Sequence, residues 1–466
     1  MENSVAEIIK IIKASNNAIE MERKLIIFFA QFVGELMRMA LEAIDDELQK
    51  EWREKGYRVE RSDTRTIQFL FGAVTFTRRR MKKPGETGVY ALDQSCGFEK
   101  GKRYSLLVQR QVAELSTKVV YRGVEKAVEL FTSFTMSHGQ VKNIVDQIGA
   151  VQGEWTNHHL EELSVRLPEN RQVPVLVVEG DGLLIKGTKK KRKEIHRVQV
   201  SEGVERNGKR TELVRPYYFS SLKSSADVWQ QLETYLSATY DLSNTIVLSN
   251  VDGGSGYCFN HCEQAIGLCR QHIHFIDRYH VHAKIKSRLG FCKDLEKPMK
   301  QAVWAHEWEQ VVAILDTAES RVDEAHGEDQ LRHIEKLTYY LSRNWAYLKR
   351  LKAYQLEETV QGIGSCESNH RIYSYRMKRN GKYWSDQGAQ SMVCLIEALK
   401  NQTFDQALTE EIPEYEKTYP QDLKLAVRMA LRKGKPAASV GAKSGRILHR
   451  NASDAMGNLH KAMRLR

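Results

Sequence analysis

Three acidic residues, Asp181, Asp252 and Glu367, each stand in a short motif of a different kind. Asp181 follows the β-branched run VPVLVVEG, Asp252 follows NTIVLSNV and precedes GGSGY, and Glu367 opens ESNHRIYSYRMK, which reads as loop and then helix. Two Asp residues delivered by strands and a Glu carried on a helix offer only oxygen donors. Hard divalent cations prefer such donors, and the set suits phosphodiester chemistry. Plainer roles are open to each: Asp181 precedes Gly182 and Asp252 precedes Gly253 and Gly254, as turn residues do, while a Glu near a helix start favours the helix dipole.

The elements that must position these residues read as α/β. Strands predicted through VPVLVVEGD, IHRVQVSEG, LVRPYYFSSL, NTIVLSNV and HIHFIDRYH, with the helix SADVWQQLETYLSATY among them, fit a mixed sheet flanked by helices within residues 172–420. From about 284 to 358 the pattern is helical, with Trp304, Trp308 and Trp345 at apolar positions, and reads as an all-α insertion. It accounts for the spacing, since 71 residues separate the two Asp residues and 115 separate Asp252 from Glu367. Upstream, residues 1–55 read as amphipathic helices with a face that calls for a partner. Residues 56–103 read as a hairpin and basic linker, in which Ile67, Phe69 and Phe71 alternate before Gly72 and VTFTRRR returns. Residues 104–150 read as three short helices. In the third, Ser137 and Gln140 form a capping box, Val141, Ile144, Val145 and Ile148 form an apolar stripe, and Gly149 is expected to stop the helix. That layout is helix-turn-helix-like, with Gln140, Lys142 and Asn143 outward toward a major groove, or else an ordinary connector.

Four motifs in order, EGDGLLIKG with the basic run after it, SNVDGGSGY, IDRYHVH and ESNHRIYSYRMKRNGKYWS, resemble bacterial insertion-sequence transposases of the DDE class, most closely the ISLre-type group. The resemblance spans most of the chain. It implies a ribonuclease-H-like core that binds and cuts transposon-end DNA and joins the 3′-hydroxyl ends to target DNA. It also implies two Mg²⁺ ions, with Mn²⁺ able to substitute: Asp181 bridges both ions, and Asp252 and Glu367 complete one shell each. Two such ions about 4 Å apart activate a water or a DNA 3′-hydroxyl and shield the leaving oxygen. Glu179, on the strand face of Asp181, and Asp277, His280 and His370 are accessory candidates. Paired ends imply a dimer or larger assembly. Two other functions share these features: a domesticated, non-catalytic DNA-binding regulator, and a structure-selective nuclease with the same core.

Charge agrees with a polyanionic partner. The 466 residues carry 71 Lys and Arg against 59 Asp and Glu, a net of +12, with a sequence pI near 9.2. Lys189, Lys190, Lys191 and Arg192 follow Asp181 on what reads as a hairpin tip; Arg371, Arg376, Lys378 and Arg379 follow Glu367, interleaved with Tyr373, Tyr375, Tyr383 and Trp384. These suit phosphate contact and base stacking. Arg78, Arg79 and Arg80 close the hairpin, as a solvated strand end or a phosphate-contacting arm. Residues 421–466 hold 11 Lys and Arg against two Asp, which reads as a basic tail. Leu25–Leu41 is apolar but broken by Gln31, Glu35 and Arg38 on one helical face, so no membrane span is expected. Met1–Glu7 lacks the pattern of a signal peptide, and the expected location is the bacterial cytoplasm, at the nucleoid. The seven cysteines form no regular framework; Cys258, His261, Cys262, Cys269, His272 and His274 cluster in sequence but read as core packing rather than a zinc site.

Overall fold

The β-branched runs at 175–178, 246–251 and 271–276 become the central strands of one sheet. The structure, a computed structural model, describes residues 2–410 except 167, 189–190, 209, 324–325, 357 and 380, with backbone alone at 2, 3, 210, 367 and 368. The expected basic tail lies outside the described residues.

Ten strands occur among the described residues: β1 (Arg58–Phe69), β2 (Gly72–Lys82), β3 (Val89–Tyr90), β4 (Val175–Lys186), β5 (Arg192–Ser201), β6 (Val204–Asn207), β7 (Arg210–Leu213), β8 (Tyr217–Ser221), β9 (Ile246–Val251) and β10 (Gln271–Ile276). The main sheet has the order β10-β9-β4-β5-β8. β4, β5 and β8 form an antiparallel meander, and β9 and β10 continue it parallel to β4. Parallel neighbours need crossovers, supplied by α6 (Ser225–Thr239) before β9 and α7 (Phe259–Ile266) before β10. Alternation along β4 divides two cores. Leu176 and Val178 pack with Trp229, Leu232 and Leu236 of α6, while Val175 and Val177 pack on the opposite face with Leu248, Ile273, Phe275 and Val360. The molecule is therefore mixed α/β, a mixed sheet flanked by helices. The small β6–β7 hairpin carries no signal in the sequence reading.

The helices before the sheet are α1 (Glu2–Lys13), α2 (Ala18–Glu54), α3 (Leu106–Ser116), α4 (Tyr121–Phe131) and α5 (His138–Val165). The helical insertion comprises α8 (Arg278–Arg288), α9 (Glu296–Ala305), α10 (Trp308–Glu319) and α11 (Gly327–Asn344), with a core of its own around Val281, Met299, Val311 and Leu337. It starts at Arg278, immediately after the sheet, because Asp277 caps α8 through the N–H groups of Tyr279 and His280. His280 and His282 consequently lie in the first turns of a helix and not at a strand end. The basic end of β2 is neutralised within the protein: Arg78 pairs with Asp93, Arg79 with Asp45 at 3.0 Å, and Arg80 with Glu60 at 2.8 Å. This favours a structural role for that arm.

Gly149 does not end α5, which runs to Val165. Its place is a crossing with α13 (Asp386–Asn401), where a Cβ at 149 would lie 2.6 Å from Ser391 Cα and 2.7 Å from its carbonyl oxygen. One turn on, a Cβ at Gly153 would lie 3.2 Å from Cys394 Sγ. The missing side chains let two backbones approach. Val141, Ile144, Val145 and Ile148 then share a core with Met392 and Ile396 of α13 and with Leu183, Ile185 and Ile195 of the β4–β5 hairpin. The three helices at 104–150 thus share a core with the sheet domain.

The cysteine and histidine cluster is engaged locally. Ser249 Oγ lies 2.7 Å from His272 Nε2 and 2.6 Å from His274 Nδ1, Cys258 Sγ lies 3.1 Å from His261 Nδ1, and Cys262 is buried. Burial pushes His272 down to about 4 and His274 to about 3, so both rings stay neutral at physiological pH.

Gly149→Ala is expected to lower stability by about 1–3 kcal/mol despite the better helix propensity of Ala, because the clash is with the backbone at Ser391. Gly153→Ala, facing only a thiol, should cost less. Chemical denaturation of both variants checks the ranking, and an unshifted midpoint for Gly149→Ala would contradict the close crossing.

Candidate active site at the carboxyl edge of the sheet

The last paired positions of the three parallel strands are Gly180, Val251 and Ile276. The residue after each is Asp181, Asp252 and Asp277, so three carboxylates stand in one row across adjacent strands, roughly 4.8 Å apart by strand spacing. Period-two geometry puts all three on the sheet face that holds Val175, Val177 and Leu248. Asp181 is not a strand terminus, since β4 runs on to Lys186 against β5. It is the point where the parallel partner ends and a strand edge opens.

The three carboxylates differ in what they already bind. Asp277 is 8% exposed and engaged on both oxygens: Oδ1 accepts from the N–H groups of Tyr279 and His280, and Oδ2 accepts from Asn250 Nδ2 at 3.2 Å. Asp181 Oδ1 accepts from the N–H of Gly182 at 2.7 Å, while Oδ2 faces His280 Nε2 at 3.5 Å and His370 Nδ1 at 3.8 Å. Asp252 is half-buried, and its Oδ1 accepts from the N–H of Gly254 at 2.7 Å. Among the described residues neither Asp181 nor Asp252 forms an ion pair with Lys or Arg. Both keep oxygen lone pairs for another cation, whereas Asp277 is committed as a cap.

Burial is the largest influence on Asp181 and opposes its charge, but the hydrogen bond with His280, the further pull of the His370 and His280 rings and the Gly182 N–H together outweigh it and hold the carboxyl below its usual range. The same hydrogen bond raises His280, against burial, with Asp181, Asp252 and Asp277 adding to the effect. His370 behaves oppositely: burial, then the nearby Arg197, pushes it down to about 3. The site therefore pairs an ionised Asp181 with a readily protonated His280 and a neutral His370.

Glu179 is no free ligand. It is 1% exposed, and its oxygens accept from the N–H groups of Gly364 and Ser365, the Ser365 hydroxyl, Gln199 Nε2 at 2.7 Å and Asn250 Nδ2 at 3.4 Å. Gly364 sits at φ +93°, a conformation that favours glycine, and this turns its N–H toward the sheet. The clamp fixes the start of α12 (Ser365–Asn369), the short helix whose backbone includes Glu367. Asn369 Nδ2 adds a bond to Gln199 Oε1 at 3.0 Å, and His370 follows at the edge of Asp181. The expected third carboxylate thus rides on a segment tied to the same sheet face; its side chain is outside the description. Among the described residues no three of His, Cys, Asp and Glu are gathered as a ready metal cage.

The basic residues divide. Lys191, Arg192, Arg371, Lys378 and Arg379 are exposed, as are Lys142 and Asn143, with Gln140 half-buried; Lys142 is paired to Asp146. Lys189 and Lys190 lie outside the described residues. Arg376 is a correction: at 4% exposure it donates to the Ser116 carbonyl and is stacked between Tyr121 and Trp384, so it pins its segment to α3 and cannot reach a phosphate. That segment, Ser374–Lys378, is a single π turn, a form often found at functional sites. It turns Tyr375 outward between Arg371 and Arg379, whose guanidinium groups lie 5.4 and 4.5 Å from its ring.

Sequence reasoning missed Arg197 and Lys284. Arg197, 1% exposed, is the cross-strand partner of Asp181 and stacks 4.5 Å from the Tyr373 ring. Its position at alternate spacing in RVQVS was the only signal. Lys284 lies 4.1 Å from the Tyr340 ring and faces the charge of Asp252, a contact across the insertion that no local motif announces.

Glu179→Gln keeps the shape but turns an amide donor toward donors. It should lower stability by about 1–3 kcal/mol and speed hydrogen exchange at the amides of Gly364 and Ser365. Unchanged exchange there would remove the clamp.

A UPF0236 protein of Streptococcus gallolyticus, named for a vanSb 3′ region, is 35% identical over 431 residues, covering 92% of this chain and 93% of its own length. Two UPF0236 proteins of Caldanaerobacter subterraneus subsp. tengcongensis are 21% and 22% identical over 377 residues, 80% of this chain and 76% of each relative. Residues 13–410 match the uncharacterised protein family UPF0236, and the chain belongs to that family.

Proposed function

We propose that this protein is a DDE-class transposase with a ribonuclease-H-like core, acting on the DNA ends of a mobile element with Asp181, Asp252 and Glu367 as its catalytic carboxylates. The observation that carries the reading is the side-by-side register of Asp181 and Asp252 at an open strand edge, with the Glu367 segment clamped to the same face by Glu179. A meander of three antiparallel strands continued by two parallel ones is compatible with the proposed core. A further support comes from a relative: the name of one Caldanaerobacter protein joins eleven locus designations, and repetition of one gene across a genome is what a mobile element leaves.

The donor set fits divalent cations, because Asp181 and Asp252 present hard oxygens free of Lys and Arg ion pairs among the described residues. When bound, Mg²⁺ or Mn²⁺ would supply an activated oxygen nucleophile and charge neutralisation at the leaving oxygen. The chain's own residues do the rest. His280 favours the ionised form of Asp181, and Glu179 holds the Glu367 helix in place. Arg371, Lys378, Arg379, Lys191 and Arg192 neutralise backbone phosphates, and exposed Tyr375 offers a face on which an unpaired base stacks. Lys142, Asn143 and Gln140, on the first turns of α5, take the base-reading role.

Purified protein incubated with Mg²⁺ or Mn²⁺ and a supercoiled plasmid carrying the flanking ends of the gene should nick and join DNA. Asp181→Asn, Asp252→Asn and Glu367→Gln should each reduce cleavage by about 10³-fold or more, a loss of roughly 4 kcal/mol in the barrier term, with end binding largely retained. Full cleavage by any variant would remove that residue from the site. Binding without cleavage by the unaltered protein would favour a regulator.

A further inference from the structure

The 37-residue helix α2 spans about 55 Å, and only one side of it is used. Its inner face, with Gly34, Leu41 and Asp45 buried, lies on the β1–β2 hairpin in a core with Ile67, Val74 and Phe76. The opposite face is apolar and open: Ile26 is 51% exposed, Phe29 47%, Leu36 52% and Met39 56%. Between Leu25 and Gly34 there is no charged residue. A soluble monomer rarely leaves so continuous an apolar strip in water.

The strip has the period of a coiled-coil seam. Ile26, Val33 and Ala40 recur every seven residues, as do Phe29, Leu36 and Ala43, and the two series interleave as a and d positions flanked by Phe32 and Met39. We propose that this face pairs antiparallel with α2 of a second copy of the chain, about a two-fold axis between Gly34 and Glu35. In that arrangement Ile26 meets Ala43, Phe29 meets Ala40 and Val33 meets Leu36, so every layer sets a large side chain against a small one or two of middling size against each other. Parallel pairing would stack Phe29 on Phe29 and leave Ala40 on Ala40, wide in one layer and hollow in another.

The apolar seam closes at Glu22 on one end and Glu47 on the other, and antiparallel pairing sets these two carboxylates level with each other, which confines the contact to the layers between them. The area reaches the lower end of what a specific interface buries. Six large side chains, Ile26, Phe29, Phe32, Val33, Leu36 and Met39, are 38–56% exposed, and at roughly 150–200 Å² each they amount to about 500 Å² per copy, or about 1,000 Å² over both. Such an isologous contact closes on itself. It stands independently of the catalytic reading.

Light scattering on the full chain, with circular dichroism as a folding control, tests the contact. The expected mass is twice 53.6 kDa, and Phe29→Glu with Leu36→Glu should give a single-chain mass with an unchanged helical spectrum. Oxidation of a mixture of Ile26→Cys and Ala43→Cys chains should yield linked peptides joining positions 26 and 43. A single-chain mass for the unaltered protein, an assembly indifferent to charge at 29 and 36, or links joining 26 to 26 would each overturn the proposal.

Discussion

A buried carboxylate must be satisfied, and Glu179 is satisfied by chain 185 residues away. Two backbone N–H groups, a hydroxyl and two side-chain amides converge on its oxygens, so the segment that follows the helical insertion has one place to land. Much of the site depends on that landing. It brings His370 to the edge of Asp181 and sets the backbone of Glu367 beside the sheet face that carries the Asp row.

The sheet contributes the other half of the constraint. Parallel pairing of β4, β9 and β10 ends at one level, and the next residue on each strand is an Asp. Sorting among them is done by hydrogen bonding. Asp277 is consumed as the cap of α8, which directs the insertion away from the sheet and presents His280 back toward Asp181. The insertion in turn touches the loop after Asp252, where Arg343 donates to the Gly253 carbonyl at 2.8 Å. Behind the site, Arg376 and the close crossing at Gly149 lock the π turn and α13 to the upstream helices, so the exposed Arg371, Tyr375 and Arg379 are displayed from a rigid support.

Local pattern carried the parts of this that are local. The strand runs leading to Asp181 and Asp252, the helix 225–239 and the hairpin around Gly72 follow from period and turn chemistry, and the alternation in β4 already put Glu179 on the face of Asp181. What failed was context. HIHFIDRYH reads as one strand because nothing in it distinguishes an Asp at a strand end from an Asp that caps the next helix. Gly149 reads as a helix stop because its real partner, Ser391, lies far along the chain. Arg376 reads as one more basic residue in a basic run, and only the packing of Tyr121 and Trp384 around it makes it internal. Glu179 was legible as a carboxylate near the site, but its role as a clamp required the Gly364–Ser365 backbone to be in place.

The central claim is that Asp181 and Asp252 hold cations while Glu179 only positions. Calorimetric titration of the intact protein with Mn²⁺, compared across the unaltered chain, Asp181→Asn, Asp252→Asn and Glu179→Gln, addresses it without reference to any DNA substrate. The account predicts saturable binding that is lost in both Asp variants and retained, though weakened, in Glu179→Gln. Binding that survives in Asp181→Asn and Asp252→Asn but disappears in Glu179→Gln would contradict it.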